Sequence, residues 1–138
     1  MADDVLLNKA ATIERCVARA REEYAAANGQ FATDFSRQDA AILNIQRACE
    51  ATLDIGNHLV RLNRLGIPQS ARAVFDLLAQ SGWIDEDLAN RLKNMVAFRN
   101  IAVHDYRNLQ LPITENIICH HLDDFLAFTR AVLTRPSA

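Results

Sequence analysis

An apolar seam of Ala41, Ile45, Ala48, Thr52, Ile55, Leu59 and Leu62 recurs in steps of three and four along one segment of this chain. That spacing is the repeat of one helix face, and it predicts a helix from about Ser36 to Leu65. At 1.5 Å per residue so long a helix spans roughly 45 Å, the full length of a small bundle. Ser36-Arg37-Gln38-Asp39 announces its start, with Ser36 as the expected cap and Asp39 at the third position, and Gly66 with Pro68 provides the stop. Arg47, Asp54 and Arg61, at intervals of seven, mark a wet ridge. Ala48, Thr52 and Gly56 keep the middle of the dry side narrow, so a neighbouring helix can approach closely there.

The remainder also reads as helix. Asp3 is a suitable cap for a first helix whose stripe is Leu6, Ala10, Ile13, Val17, Ala20 and Tyr24. Asn28-Gly29 ends it, and a loop with Phe31 and Phe35 follows. Ser70 is expected to cap a short third helix through Val74, Leu77 and Leu78. Asp85-Glu86-Asp87 gives a fourth helix an acidic first turn suited to its dipole. Asn108 to Pro112 breaks the pattern, and a last helix from about Thr114 places Ile118, Leu122, Phe125, Thr129 and Val132 on one stripe. Four Gly and three Pro in 138 residues, 50% of them hydrophobic, leave little punctuation for many short strands. The expectation is an all-α, up-and-down bundle of four long helices plus one short helix, with residues 1–138 as a single domain.

Several function classes are disfavoured. No window is apolar for the length needed to cross a bilayer, and Met1-Ala2-Asp3-Asp4 is acidic where a secretory signal is basic, so a soluble cytoplasmic protein is expected. A net charge of -2 argues against nonspecific coating of nucleic acid. An RNA role needs local positive charge, which Arg91, Lys93, Arg99 and Arg107 supply against Asp105. Cys16, Cys49 and Cys119 are odd in number and widely spaced, and are read as small buried hydrophobes. His120-His121, with Asp123-Asp124 following, lacks the four-residue pair spacing of helical zinc sites, so no metal or other cofactor is expected. His58 beside Asn57 reads as a polar rim residue, and Trp83, Phe98, Phe125 and Phe128 as core or interface aromatics.

The fourth helix breaks its own rule. Its seam runs Ala89, Leu92, Val96, position 99, Val103 and position 106, yet 99 is Arg and 106 is Tyr. Burying an unpaired guanidinium costs several kcal/mol. Arg99 must therefore reach a carboxylate such as Asp54 or Glu50, reach solvent in a cleft, or face a second subunit. His104 lies about 140° around the axis from Arg99, so the two share a face only if the helix unwinds near His104. Asn100 and His104, four apart, do share an edge. A cleft that needs both edges is most easily completed by a symmetry-related copy of the same helix.

The segment Arg99-Asn100-Ile101-Ala102-Val103-His104-Asp105-Tyr106 resembles the signature of the HEPN superfamily of small helical ribonucleases, and within it the HepT-like toxin family. Asp39 through Ala51, Ser70 through Leu78 and Leu88 through Tyr106 are similar to their counterparts there. These stretches cover most of residues 36 to 107, while the first and last helices match in pattern only. Ala97 stands where the family often has Gly. The resemblance implies a HEPN-like fold and the toxin component of a toxin-antitoxin system. It further implies a metal-independent endoribonuclease that acts as a homodimer, with Arg99 and His104 of both subunits as catalytic residues and Asn100 in support. The implied RNA ends are a 2′,3′-cyclic phosphate and a 5′-hydroxyl. It also implies a nucleotidyltransferase antitoxin that attaches adenylate to Tyr106. The alternative is a noncatalytic helical subunit that binds nucleotide or RNA for a nucleotidyltransferase partner, using Arg99 as a phosphate clamp.

Overall fold

Asp3 starts the first helix as its sequence position suggests: its Oδ1 accepts the Val5 and Leu6 amides at 2.9 and 3.3 Å. In this computed structural model, which describes residues 3–135, helix α1 then runs Asp4–Ala26. Asn28 and Gly29 adopt φ of 51° and 83° and turn the chain back. A short 3₁₀ turn at Phe31–Thr33 buries Phe31 against Tyr24, with ring centroids 4.9 Å apart, while Phe35 points outward.

Helix α2 spans Phe35–Leu62. Its cap is Asp34, whose carboxylate accepts the Arg37 amide at 3.1 Å, and not Ser36 as the sequence pattern suggests. The cap lies two residues earlier than expected, which puts Ser36 inside the first turn and leaves Asp39 free of any capping duty. The other end also comes earlier, at Leu62. Arg64 takes φ 52° there, and the Leu65 amide reaches back to the Val60 carbonyl at 2.9 Å. The predicted seam is buried from Ala41 to Leu59, but Leu62 is 63% exposed because the helix stops beside it.

Three polar pairs fix α1 antiparallel to α2: His58 to Asp3, Lys9 to Asp54 and Arg37 to Glu23, at 2.7, 2.9 and 2.7 Å. Glu23 is itself buried and also binds Arg19 at 2.7 Å, so two guanidinium groups neutralise it.

Helix α3 (Ala73–Gln80) follows a turn in which the Ser70 hydroxyl accepts the Ala73 amide. Helix α4 (Glu86–His104) is capped by Asp85, which accepts the Leu88 amide at 2.7 Å. Helices α1, α3 and α4 all pack on α2. The narrow waist works as predicted: a Cβ at Gly56 would lie 2.5 Å from Val74 Cγ1 of α3.

The expected single last helix is two, α5 (Leu111–His120) and α6 (Leu122–Thr134), broken at His121, whose φ and ψ are -126° and -4°. The described residues therefore hold six helices and no strand. The break coincides with a buried charge. Asp124 turns inward to Arg91 at 3.1 Å, and His121 faces the same carboxylate at 3.4 Å. The apolar stripe survives on both sides, for Ile118, Leu122, Phe125, Thr129 and Val132 are all buried. Phe128 meets Phe75 of α3 edge to face at 6.0 Å. Cys16 and Cys49 are buried as expected, but Cys119 is exposed, because it lies on the outer side of α5 with His120. No helix among the described residues is long and apolar enough to cross a membrane.

Two outcomes test this packing. Gly56→Ala should lower unfolding stability by about 1–3 kcal/mol, measured by denaturant titration, since the added methyl overlaps Val74. The hydrogen bond from His58 holds the Asp3 carboxyl below its ordinary value. Its contribution is therefore complete above the unfolded carboxylate value of about 3.9 and fades as pH falls through the lower native value. Asp3→Ala should cost about 1 kcal/mol at pH 7, with a thermal-unfolding gap from wild type that narrows as pH falls below about 3.9.

Candidate active site

The motif occupies the last turns of α4. The helix holds its regular path through His104 and stops at Asp105, which takes φ -152° while its amide bonds the Ile101 carbonyl at 2.8 Å. Asn108 then bonds Asp105 twice, side chain to side chain at 2.7 Å and amide to carbonyl at 2.9 Å. Tyr106–Asn108 form a 3₁₀ turn around these contacts. These contacts hold the chain in the turn that follows the helix. Tyr106 consequently leaves the seam on which the sequence pattern placed it.

Because the unwinding comes after His104 and not before, Arg99 and His104 keep a separation of about 140° around the axis. Asn100 and His104 share an exposed edge. Within one molecule the structure therefore brings Asn100 and His104 to one face and leaves Arg99 on another.

Arg99 has none of the expected structural partners. Among the described residues it makes no ion pair; Asp54 is held by Lys9, and Glu50 accepts the Gln46 amide at 3.0 Å. Its side chain is half-buried, and Nε is wholly shielded from solvent with no acceptor. Its charge is felt at Cys49 of α2. Burial pushes that thiol up to about 12, and the Arg99 charge opposes the shift. A buried donor left unmade costs about 1–3 kcal/mol.

Tyr106 swings to the start of α2, where its hydroxyl donates to the Asp39 carboxylate. Burial, then the carboxylate, push the phenol up to about 12. The ring is nevertheless 44% exposed. Asp39 is the site residue that sequence reasoning assigned elsewhere, as part of a cap. No local spacing connects positions 39 and 106, and only the antiparallel course of α4 along α2 brings them together.

The local positive field is smaller than the composition of α4 suggests. Arg91 pairs with Asp87 and Asp124 at 2.8 and 3.1 Å, and Lys93 with Asp76 at 2.9 Å. Arg99 and Arg107 are the cations of this segment without such pairing among the described residues. His58 is taken up by Asp3 and His121 faces Asp124, so both have structural roles. No group of three or more His, Cys, Asp or Glu among the described residues is placed to hold a metal ion. Phe98 is buried beside the motif. A cavity of about 360 Å³ opens between α4 and α5, walled by Met95, Phe98, Ile101, Ile113 and Ile117, and it does not include Arg99 or His104.

Residues 13–132 match the family described as ribonuclease HepT-like. The chain is 51% identical over 126 residues to the mRNA nuclease HepT of Shewanella oneidensis, across 91% of this chain and 94% of that protein. Its structure superposes with a TM-score of 0.92 on a tri-AMPylated Shewanella oneidensis HEPN toxin solved in complex with an MNT antitoxin. That chain is 48% identical, and the match covers 97% of this chain and 100% of the other. A toxin-antitoxin crystal structure with AMP-PNP superposes equally well, at a TM-score of 0.92 and 47% identity, covering 96% of this chain and 100% of that one. Match length, identity and fold together establish that this chain belongs to the HepT-like ribonuclease family.

Proposed function

We propose that this chain is the toxin of a toxin-antitoxin pair: a metal-independent endoribonuclease, one domain over residues 1–138, that works in the cytoplasm as a homodimer. The observation that carries the proposal is Arg99, a half-buried cation whose Nε has no acceptor, on the helix that ends in an exposed His104. The part of its guanidinium that solvent reaches has no carboxylate partner among the described residues, and a phosphodiester would supply the anion. The identity to an mRNA nuclease over nearly the whole chain supports RNA as the source of that phosphate.

The residue types suit the reaction. In RNA the 2′-hydroxyl is the built-in nucleophile: its oxygen bonds to phosphorus, the bond from phosphorus to the 5′-oxygen breaks, and one proton leaves while another arrives. His104 moves those protons, an imidazole being able to change charge near neutral pH. Arg99 clamps the phosphate through its planar fork and stabilises charge on the phosphorane. Asn100, on the edge of His104, orients the imidazole or touches the phosphate. The products are a 2′,3′-cyclic phosphate and a 5′-hydroxyl.

A second copy completes the groove. Arg99 and His104 lie on different faces of α4, and the exposed apolar residues Ile101 (40%) and Val103 (45%) flank them. Two such helices facing across a dimer axis put the Arg99 of one copy near the His104 of the other and cover that apolar surface.

Tyr106 is the adenylylation site at which a nucleotidyltransferase antitoxin silences the toxin. The tri-AMPylated relative, bound to its antitoxin, supports this reading, as does the exposure of Tyr106 two residues beyond His104. An added phosphate there supplies Arg99 with an anion and obstructs the groove.

Expressed without antitoxin, wild type should arrest growth and leave cyclic-phosphate RNA ends. His104→Ala should lose at least about 10²-fold in cleavage rate with helicity and dimer mass unchanged. RNA binding without cleavage by the purified wild type favours the noncatalytic binding subunit. Tyr106→Phe should remain toxic when the antitoxin is co-expressed and should gain no adenylate by mass spectrometry; complete neutralisation of this variant overturns the modification reading.

A further inference from the structure

The proposed modification needs a step that the ribonuclease site does not explain: something must take the proton of the tyrosine. Tyr106 donates its hydroxyl hydrogen to one acceptor, the Asp39 carboxylate, which projects from the second turn of α2. Asp39 is exposed and joins none of the ion pairs among the described residues. It is also free of the helix cap, because Asp34 fills that role. The hydrogen bond thus joins an accessible nucleophile to an otherwise uncommitted carboxylate.

We propose that Asp39 is the general base for adenylylation of Tyr106, so that the toxin supplies part of the catalytic machinery for its own silencing. This rests on the reading of Tyr106 as the acceptor. In the step, the Tyr106 oxygen attacks the α-phosphate of a nucleoside triphosphate held by the partner nucleotidyltransferase. The bond from oxygen to phosphorus forms, the bond from the α-phosphate to the bridging oxygen breaks, pyrophosphate leaves, and the phenol proton passes to Asp39.

A base is needed because the phenol does not ionise beforehand. With its titration near 12, about one Tyr106 in 10⁵ is phenolate at pH 7. The same carboxylate that discourages early ionisation stands where the proton must go as the new bond forms. Asp39 is the charged group acting on this phenol; Asp105 and Arg107 flank it in sequence, and His104 ends the neighbouring helix.

The arrangement also limits where Asp39 can act. Once Tyr106 is esterified it has no proton left to give. Where more than one adenylate is added at this residue, each later one must join a hydroxyl of the adenylate before it, out of reach of this hydrogen bond. Asp39 therefore governs the first transfer and not the following ones.

The test uses toxin carrying His104→Ala, which removes a titrating neighbour and the toxicity, with its nucleotidyltransferase and labelled ATP at saturating toxin. Asp39→Asn should lower the first transfer about 10²-fold at pH 7. Its rate should then climb roughly tenfold per pH unit from 7 to 9, as phenolate replaces the base, while the Asp39 parent stays nearly level. Conversion of mono- to di-adenylylated toxin, followed by mass spectrometry, should be unchanged. Asp39→Glu should recover at least tenfold over Asn. An Asp39→Asn rate equal to the parent overturns the proposal, and so does a loss by one constant factor at every pH, which marks Asp39 as a docking group. Tyr106→Phe, run alongside, separates the two levels. No label on it leaves the acceptor assignment standing whatever Asp39 does, and parental labelling of it removes both.

Discussion

The buried face of α2 is the surface on which the other helices find their places. It presents small residues at its centre, and Gly56 lets α3 close to within van der Waals reach of its backbone. Helices α1 and α4 then run antiparallel along it, held at α1 by three polar pairs. This geometry brings the end of α4 beside the beginning of α2, and the meeting of Tyr106 with Asp39 follows from it. A bulkier residue at Gly56 would push α3 outward at Val74.

Charge follows the same plan. Arg91 and Lys93 sit on α4 in a stretch that looks basic in the sequence, yet each is spent on holding α4 to a neighbour, through Asp124 and Asp76. Arg99 is not spent. Its Nε is enclosed without an acceptor, an arrangement that folding alone does not favour. The protein thus leaves unpaired the one cation that the proposed chemistry uses and neutralises Arg91 and Lys93 on the same helix.

Helix periodicity made most of the fold legible, because a seam repeating in threes and fours states which face goes inward. It identified α1, α2 and α4 and the stripe shared by α5 and α6. It placed the ends less well. At α2 the cap is Asp34, two residues before the expected Ser36. The split at His121 depends on a carboxylate drawn inward by an arginine 33 residues away in sequence, and no local window contains that partner. The site was legible in the same proportion. Arg99 stands out as a cation on an apolar stripe, and Asn100 and His104 share an edge by spacing alone. The path of Tyr106 was not legible, since the turn after His104 is set by Asp105 and Asn108 and its destination by the packing of two helices.

That turn has a consequence for how the protein is approached. Tyr106 is carried on three residues of 3₁₀ structure and pinned at its tip by one hydrogen bond to α2, while the groove residues ride on a regular helix whose inner face is sealed into the core. Releasing the tyrosine to an incoming enzyme opens only a short segment at the low end of the local stability range. Helix α4 itself is anchored by buried residues along most of its length. On the proposed assignment, the element that is modified is separate from the element that cuts, so the toxin can be silenced through a three-residue turn while α4 keeps its place on the core.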